Sequence, residues 1–160
     1  MILTAPNRIN NYKELEYTVF LAGTIDNGDS IDWNSDVAKY IDYIGYVAFN
    51  PRRNNWNKKA DSNEITEQIN WELEHLEKAD LIIMNILGDS KSPISLLELG
   101  LFARSGKLVV FCPKSYYRYD NVKTTCERYG ITLYSIEDYQ ENIEKIKDVI
   151  KNRKKYGNSN

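Results

Sequence analysis

The sequence predicts an α/β fold: a doubly wound, five-stranded parallel sheet with helices on both faces. Three observations predict it. Short apolar runs alternate with helical spacings five times along the chain. The apolar runs are continuous rather than alternating, as in strands buried on both faces. Glycine or proline punctuates most of the boundaries.

The first strand reads from Val19 to Gly23, an apolar run closed by glycine. A helix follows from Ile31 to Ile44, with Trp33, Val37, Tyr40 and Ile41 at helical spacing and Gly45 at its end. Tyr46–Phe49 is the second strand, stopped by Asn50-Pro51. A polar loop, 52–61, leads to a helix from Glu64 to Lys78, with Ser62 or Asn63 as its cap. Asp80–Ile86 is the third strand. Ser92 is then expected to cap a helix that opens on Pro93 and ends near Arg104. Lys107–Cys112 is the fourth strand, Asp120–Tyr129 a short helix capped by Gly130, Ile131–Tyr134 the fifth strand, and 136–155 the last helix. Residues 1–16 read as an N-terminal arm and 156–160 as a frayed tail on one domain covering 1–160. Right-handed crossovers make this a flavodoxin-like or Rossmann-like sheet, with ligands expected beyond the carboxyl ends of the strands.

Composition narrows the partners. Lys and Arg number 21 against 23 Asp and Glu, a net charge of −2, which leaves no basic footprint for a nucleic-acid polymer. The basic run Lys151, Arg153, Lys154 and Lys155 reads as a solvated helix end. Two cysteines, Cys112 and Cys126, make neither a disulfide framework nor a four-ligand zinc site. The one histidine, His75, argues against multi-histidine metal chemistry and is expected to be partly exposed. No apolar stretch is long enough to span a membrane, and residues 1–13 lack the core of a signal peptide. The expectation is a soluble cytoplasmic protein with no metal and no organic cofactor. The 12 Tyr and 3 Trp, many near loops, suit a flat ligand or subunit contacts.

Two carboxylates fall on apolar faces. Residues 93–103 are apolar almost all round, which predicts a buried helix, and Glu98 is the only ionisable residue among them. Gly100 is expected to let this helix approach the strands. In the helix 64–78, Ile65, Ile69, Leu73 and Leu76 predict a buried stripe; Glu72 lies within it and Gln68 at its edge. A buried carboxylate is costly unless paired, so each is either a structural acid with a polar partner or a reactive one. Two such acids on neighbouring helices of one cleft suit the breaking of a glycosidic bond. The turn Gly23-Thr24-Ile25-Asp26 offers backbone N–H groups and a hydroxyl for a sugar or phosphate, or is a plain turn. No P-loop or dinucleotide fingerprint occurs.

The segments Val19–Ile25, Phe49–Arg53 with Trp56, Glu67–Leu73, Ala79-Asp80, Pro93–Gly100, Asn121-Val122 and Cys126–Gly130 resemble the nucleoside 2-deoxyribosyltransferase family, in its "nucleoside 2-deoxyribosyltransferase-like" branch. The resemblance implies a flavodoxin-like sheet and a homo-oligomer, a dimer or larger, with shared active sites. It implies that Glu98 is the nucleophile, that Glu72 stands near the departing base, and that Asn121 is lent by a neighbouring subunit to the sugar's 5′ end. Ser92 replaces the acid common in transferases and resembles the serine of deoxynucleoside-monophosphate N-glycosidases, where hydroxyls receive the phosphate; it is equally an ordinary helix start. Phe20 stands where the family often has a tyrosine that orients the nucleophile. Asn50, Arg52, Arg53, Trp33, Trp56 and Trp71 are candidates to cover or recognise the base. The expected partners are thus a 2′-deoxynucleoside and a free nucleobase. The expected reaction is transfer of deoxyribose between bases through a deoxyribosyl–glutamate. The alternatives are hydrolysis of a 2′-deoxynucleoside 5′-monophosphate and a non-catalytic nucleotide sensor.

Overall fold

A computed structural model describes residues 1–54 and 59–157. Among the described residues, six strands form one parallel sheet: β1 (Ile2–Thr4), β2 (Thr18–Gly23), β3 (Val47–Asn50), β4 (Leu81–Asn85), β5 (Leu108–Phe111) and β6 (Thr132–Tyr134). Five α-helices among them connect or follow the strands: α1 (Trp33–Tyr43), α2 (Ser62–Lys78), α3 (Pro93–Phe102), α4 (Tyr119–Tyr129) and α5 (Tyr139–Gly157). The spatial order is β1-β3-β2-β4-β5-β6.

The expected five strands are β2 to β6, and their spatial order is that of flavodoxin-like sheets. The sixth strand corrects the expectation. Ile2–Thr4, read from sequence as part of an arm, pairs in parallel with 48–50 on β3. Three residues at a sheet edge, of which only Leu3 is buried, carry too little periodicity to be seen in advance.

Each face of the sheet has its own core. On one, Trp33, Val37 and Ile41 of α1 and Ile143, Ile146 and Ile150 of α5 pack on Val19, Leu21, Ile83 and Phe111. On the other, Trp71 and Leu76 of α2, Leu99 of α3 and Cys126 of α4 pack on Phe20, Phe49, Met84 and Val110. Alternate residues of each strand serve opposite faces, so every central strand is apolar throughout.

Several local expectations change. The cap of α2 is Asp61, not Ser62 or Asn63: its carboxylate accepts from the Glu64 N–H, and Glu64 answers to the Asp61 N–H. Ser92 precedes α3 but its hydroxyl caps nothing. The apolar surfaces of α2 and α3 are only partly covered. Ile94, Leu97 and Leu101 are 57%, 59% and 58% exposed, and Ile65 and Ile69 are about half exposed. Gly100 faces open space rather than the strands. The buried face of α2 is instead Gln68, Trp71, His75 and Leu76.

His75 is wholly buried, against the expectation of partial exposure. Its ring stacks on Trp71 at 3.9 Å, with one nitrogen on the Trp71 carbonyl and the other on the Tyr12 hydroxyl. No helix among the described residues is long and apolar enough to cross a membrane.

Candidate active site

The sheet reverses its winding between β2 and β4, and a cleft opens at the carboxyl ends of these strands. Gly23 and Asn85 end the two strands as register partners. Gly23 has φ +121°, and a Cβ there would lie 2.0 Å from the Asn85 carbonyl oxygen. Only glycine permits that approach, and the next N–H, of Thr24, donates to the same carbonyl at 2.9 Å.

The cleft, of about 250 Å³, is lined by Phe20, Gly23 and Asp26 from β2 and its loop, Glu72 from α2, Ser92 just before α3 and Glu98 from the middle of α3. Among the described residues, both non-glycine residues with positive φ, Asp26 (52°) and Ser92 (45°), line it. Such backbone conformations are costly and gather at functional sites.

Glu98 is buried, and no hydrogen bond to its carboxylate occurs among the described residues. Phe20 beside it supplies no hydroxyl. Burial first, and the charge of Glu72 second, push the Glu98 carboxyl up to about 8. Burial also raises Glu72, opposed by a hydrogen bond from Gln68 and by the charge of Arg53. The two acids therefore disfavour each other's ionisation, and at neutral pH the pair retains a proton.

A short polar chain supports Glu72. Gln68 Nε2 donates to Glu72 Oε1 at 2.7 Å and to the Pro51 carbonyl at 2.9 Å. Arg53 Nε donates to Gln68 Oε1, while the Arg53 Nη2 is buried with no partner among the described residues. Below the start of α3, three hydroxyls form a triangle: Thr24–Ser92 at 2.7 Å, Ser90–Ser92 at 2.8 Å and Thr24–Ser90 at 3.0 Å. Thr24 also accepts from the Leu87 N–H.

Of the residues singled out from sequence, Gly23, Asp26, Glu72, Ser92 and Glu98 line the cleft. Thr24 and Gln68 stand behind Ser92 and Glu72. Arg52 does not reach it: its guanidinium donates to the carbonyls of Gly28, Ser30 and Ile31 and holds the loop after β2. Asn50 closes a turn by accepting from the Arg52 N–H. Trp33 and Trp71 are core residues on opposite faces of the sheet, their indole N–H groups donating to the carbonyls of Thr24 and Asn7. Neither covers the cleft. Asn121 is exposed on α4, away from the cleft lining of its own chain. Trp56 lies outside the described residues. Sequence reasoning missed Ser90 and Ser95, two small hydroxyl residues with no periodic signal. Among the described residues, no group of three or more His, Cys, Asp or Glu is placed to hold a metal.

Fold and cleft together define a parallel α/β protein with two carboxylates, both pushed up by burial, at the winding reversal of its sheet. The model of a family described as nucleoside 2-deoxyribosyltransferase like matches residues 16–116, more than half of the chain. The chain belongs to that family. No curated protein matches the sequence. Among solved structures, the chain is similar to a Clostridium botulinum CMP N-glycosidase, with a TM-score of 0.54 and 18% identity over 81% of this chain and 97% of that one. At that identity the likeness is one of fold.

Proposed function

We propose that the protein is a nucleoside 2-deoxyribosyltransferase in which Glu98 attacks C1′ of a 2′-deoxynucleoside. The base departs as the glycosidic bond breaks, a deoxyribosyl–Glu98 ester forms, and a second base attacks the same carbon from the vacated side. Two inversions give net retention. The single observation that carries this reading is Glu98: a buried carboxylate with no hydrogen-bond partner among the described residues, facing a cleft beside a second raised acid. A structural acid would be paired. The productive protonation state has Glu98 ionised and Glu72 protonated, so that Glu72 supplies the departing base with its proton. A positive charge developing on the sugar ring favours the ionised Glu98 in the transition state. The absence of a 2′-hydroxyl makes that cation easier to form.

The test incubates the protein with deoxyinosine and adenine and looks for deoxyadenosine. Wild type is expected to form it, and Glu98→Ala to lose transfer by about a thousandfold or more while keeping its fold. Equal activity in the variant sinks the mechanism.

The triangle of Thr24, Ser90 and Ser92 hydroxyls favours a second reading, hydrolysis of a 2′-deoxynucleoside 5′-monophosphate. The Ser92 hydroxyl, which lines the cleft, can rotate to donate to a phosphate there, and water then replaces the acceptor base. The name of the similar N-glycosidase structure supports a nucleotide substrate. Release of base from a deoxynucleoside monophosphate without an acceptor, exceeding release from the nucleoside, identifies this activity. Thermal stabilisation by nucleotide with no turnover of either substrate identifies a sensor instead.

We assign a second copy of the chain to the exposed apolar row of Ile94, Leu97 and Leu101 on α3. Ile94 belongs both to this face and to the cleft lining, so a copy seated there also walls the cleft.

A further inference from the structure

The hydrogen-bond chain that ends on Glu72 has a fixed direction. Arg53 Nε can only donate, so the Gln68 atom it meets is the amide oxygen. The Pro51 carbonyl can only accept, so the Gln68 atom it meets is the amide nitrogen. These two contacts, from opposite ends, fix the orientation of the Gln68 amide. Its nitrogen then has one hydrogen on Pro51 and the other on Glu72 Oε1 at 2.7 Å. The Glu72 oxygen facing a donor accepts, whatever the protonation state of the acid. The carbonyl oxygen of a carboxylic acid accepts better than its hydroxyl oxygen, so this bond favours the proton on Oε2.

We propose that Arg53 and Gln68 are positioning residues that keep the Glu72 proton on Oε2, free to pass to the departing base. This rests on the reading of the cleft as a glycosidic-bond-breaking site. In the step, the C1′–N bond breaks and its electron pair goes to the base. The Oε2 proton goes to the base, and a Glu98 oxygen forms the new bond to C1′. Glu72 is left as a carboxylate, which the Gln68 N–H and the Arg53 charge stabilise. Both neighbours act on that product state, as both favour the ionised acid. In the return step an incoming base gives its proton back to Oε2, the oxygen still free of Gln68.

The position of Gln68 explains a burial that packing alone does not. It is a polar residue on the buried face of α2, in line with Trp71 and His75. Its three polar contacts are all directed at the loop after β3 and at Glu72, none at the core.

The experiment compares two leaving groups. The base of 2′-deoxyinosine needs a proton to leave; the base of 7-methyl-2′-deoxyguanosine is already cationic and leaves as a neutral molecule. Each is assayed as nucleoside and as 5′-monophosphate with wild type, Gln68→Met and Arg53→Met. Gln68→Met keeps the length of the side chain and cannot donate; Arg53→Met removes the anchor without touching α2. For both variants kcat on the 2′-deoxyinosine substrate is expected to fall, by about tenfold to a hundredfold for Gln68→Met. kcat on the methylated substrate is expected to stay near that of wild type. Parallel losses on both substrates mean a structural role and overturn the proposal, as does an unchanged kcat on both. If Gln68→Met does not fold, Arg53→Met decides by the same comparison. Wild type that cleaves neither base from nucleoside or monophosphate defeats the glycosidic reading itself, and the positioning role with it.

Discussion

Gly23 at the end of β2 and Asn85 at the end of β4 meet backbone to backbone at the mouth of the cleft. There is no room for a Cβ at 23: it would stand 2.0 Å from the Asn85 carbonyl oxygen, at a φ of +121° that side chains rarely adopt. The contact joins the two strands where the sheet changes its winding direction, and it places the Thr24 N–H and hydroxyl behind the start of α3. Gly23→Ala is expected to cost about 3 kcal/mol or more, since strain and a backbone clash add. Denaturant unfolding measures it; a loss below that of an ordinary surface substitution contradicts the geometry.

Glu98 makes the protein less stable as pH rises. Its carboxyl is ordinary, near 4.5, when unfolded and about 8 when folded. A raised folded value means the stabilising contribution is complete below the unfolded value and drains away as pH climbs through the folded one. At pH 7 the penalty relative to acid conditions is at most about 3 kcal/mol. Glu98→Gln is therefore expected to raise the melting temperature at pH 8 and to flatten its decline between pH 5 and 8, while losing activity. A variant that melts lower than wild type at pH 8 removes the case for an unpaired buried acid.

His75 acts in the opposite direction. Burial lowers its pKa, against the Trp71 carbonyl, which favours the charged ring. The stability tied to the neutral ring is present above the unfolded value of about 6.5 and is lost as pH falls through the folded value. In Glu98→Gln, where the opposing carboxyl is gone, melting temperature is expected to fall on acidification below about pH 6.5. In that background His75→Phe, which keeps the stack on Trp71, should be less stable at neutral pH for want of the Tyr12 contact yet show a shallower acid slope. Identical slopes in both proteins mean that His75 does not titrate on unfolding.

Leu97 and Leu101 are more than half exposed on α3, in an otherwise apolar neighbourhood with Ile94. Leu97→Asp removes nothing from the core of its own chain. Light scattering is expected to show wild type as a dimer or larger and Leu97→Asp as a monomer of unchanged helix content. A monomeric wild type rejects the assignment of this face to a second copy.

Much of the fold was legible in local pattern. Continuous apolar runs such as Leu81–Asn85 declare a strand buried on both faces, because each side chain, whichever way it points, leaves water. Glu98 was legible for the same reason: it is the sole charge in an apolar helix, and the structure buries it. The stripes were less reliable. Ile65 and Ile69 lie on the apolar side of the α2 wheel, yet the described residues leave about half of each uncovered. Periodicity reports which residues favour burial, not whether the chain supplies the cover.

The sequence by itself determined the parallel α/β sheet, the place of the cleft at its carboxyl edge and the two carboxylates that face it. Tertiary structure decided how polar groups pair across the chain. It turned Arg52 toward the carbonyls of the loop after β2, brought the Thr24 hydroxyl onto Ser92, and joined Arg53, Gln68 and Glu72 into one directed chain. It also added Ile2–Thr4 to the sheet. The physical reason is the range of the forces. Apolar burial is non-directional and leaves a periodic trace along the sequence, whereas a hydrogen bond depends on one donor meeting one acceptor brought close only by folding.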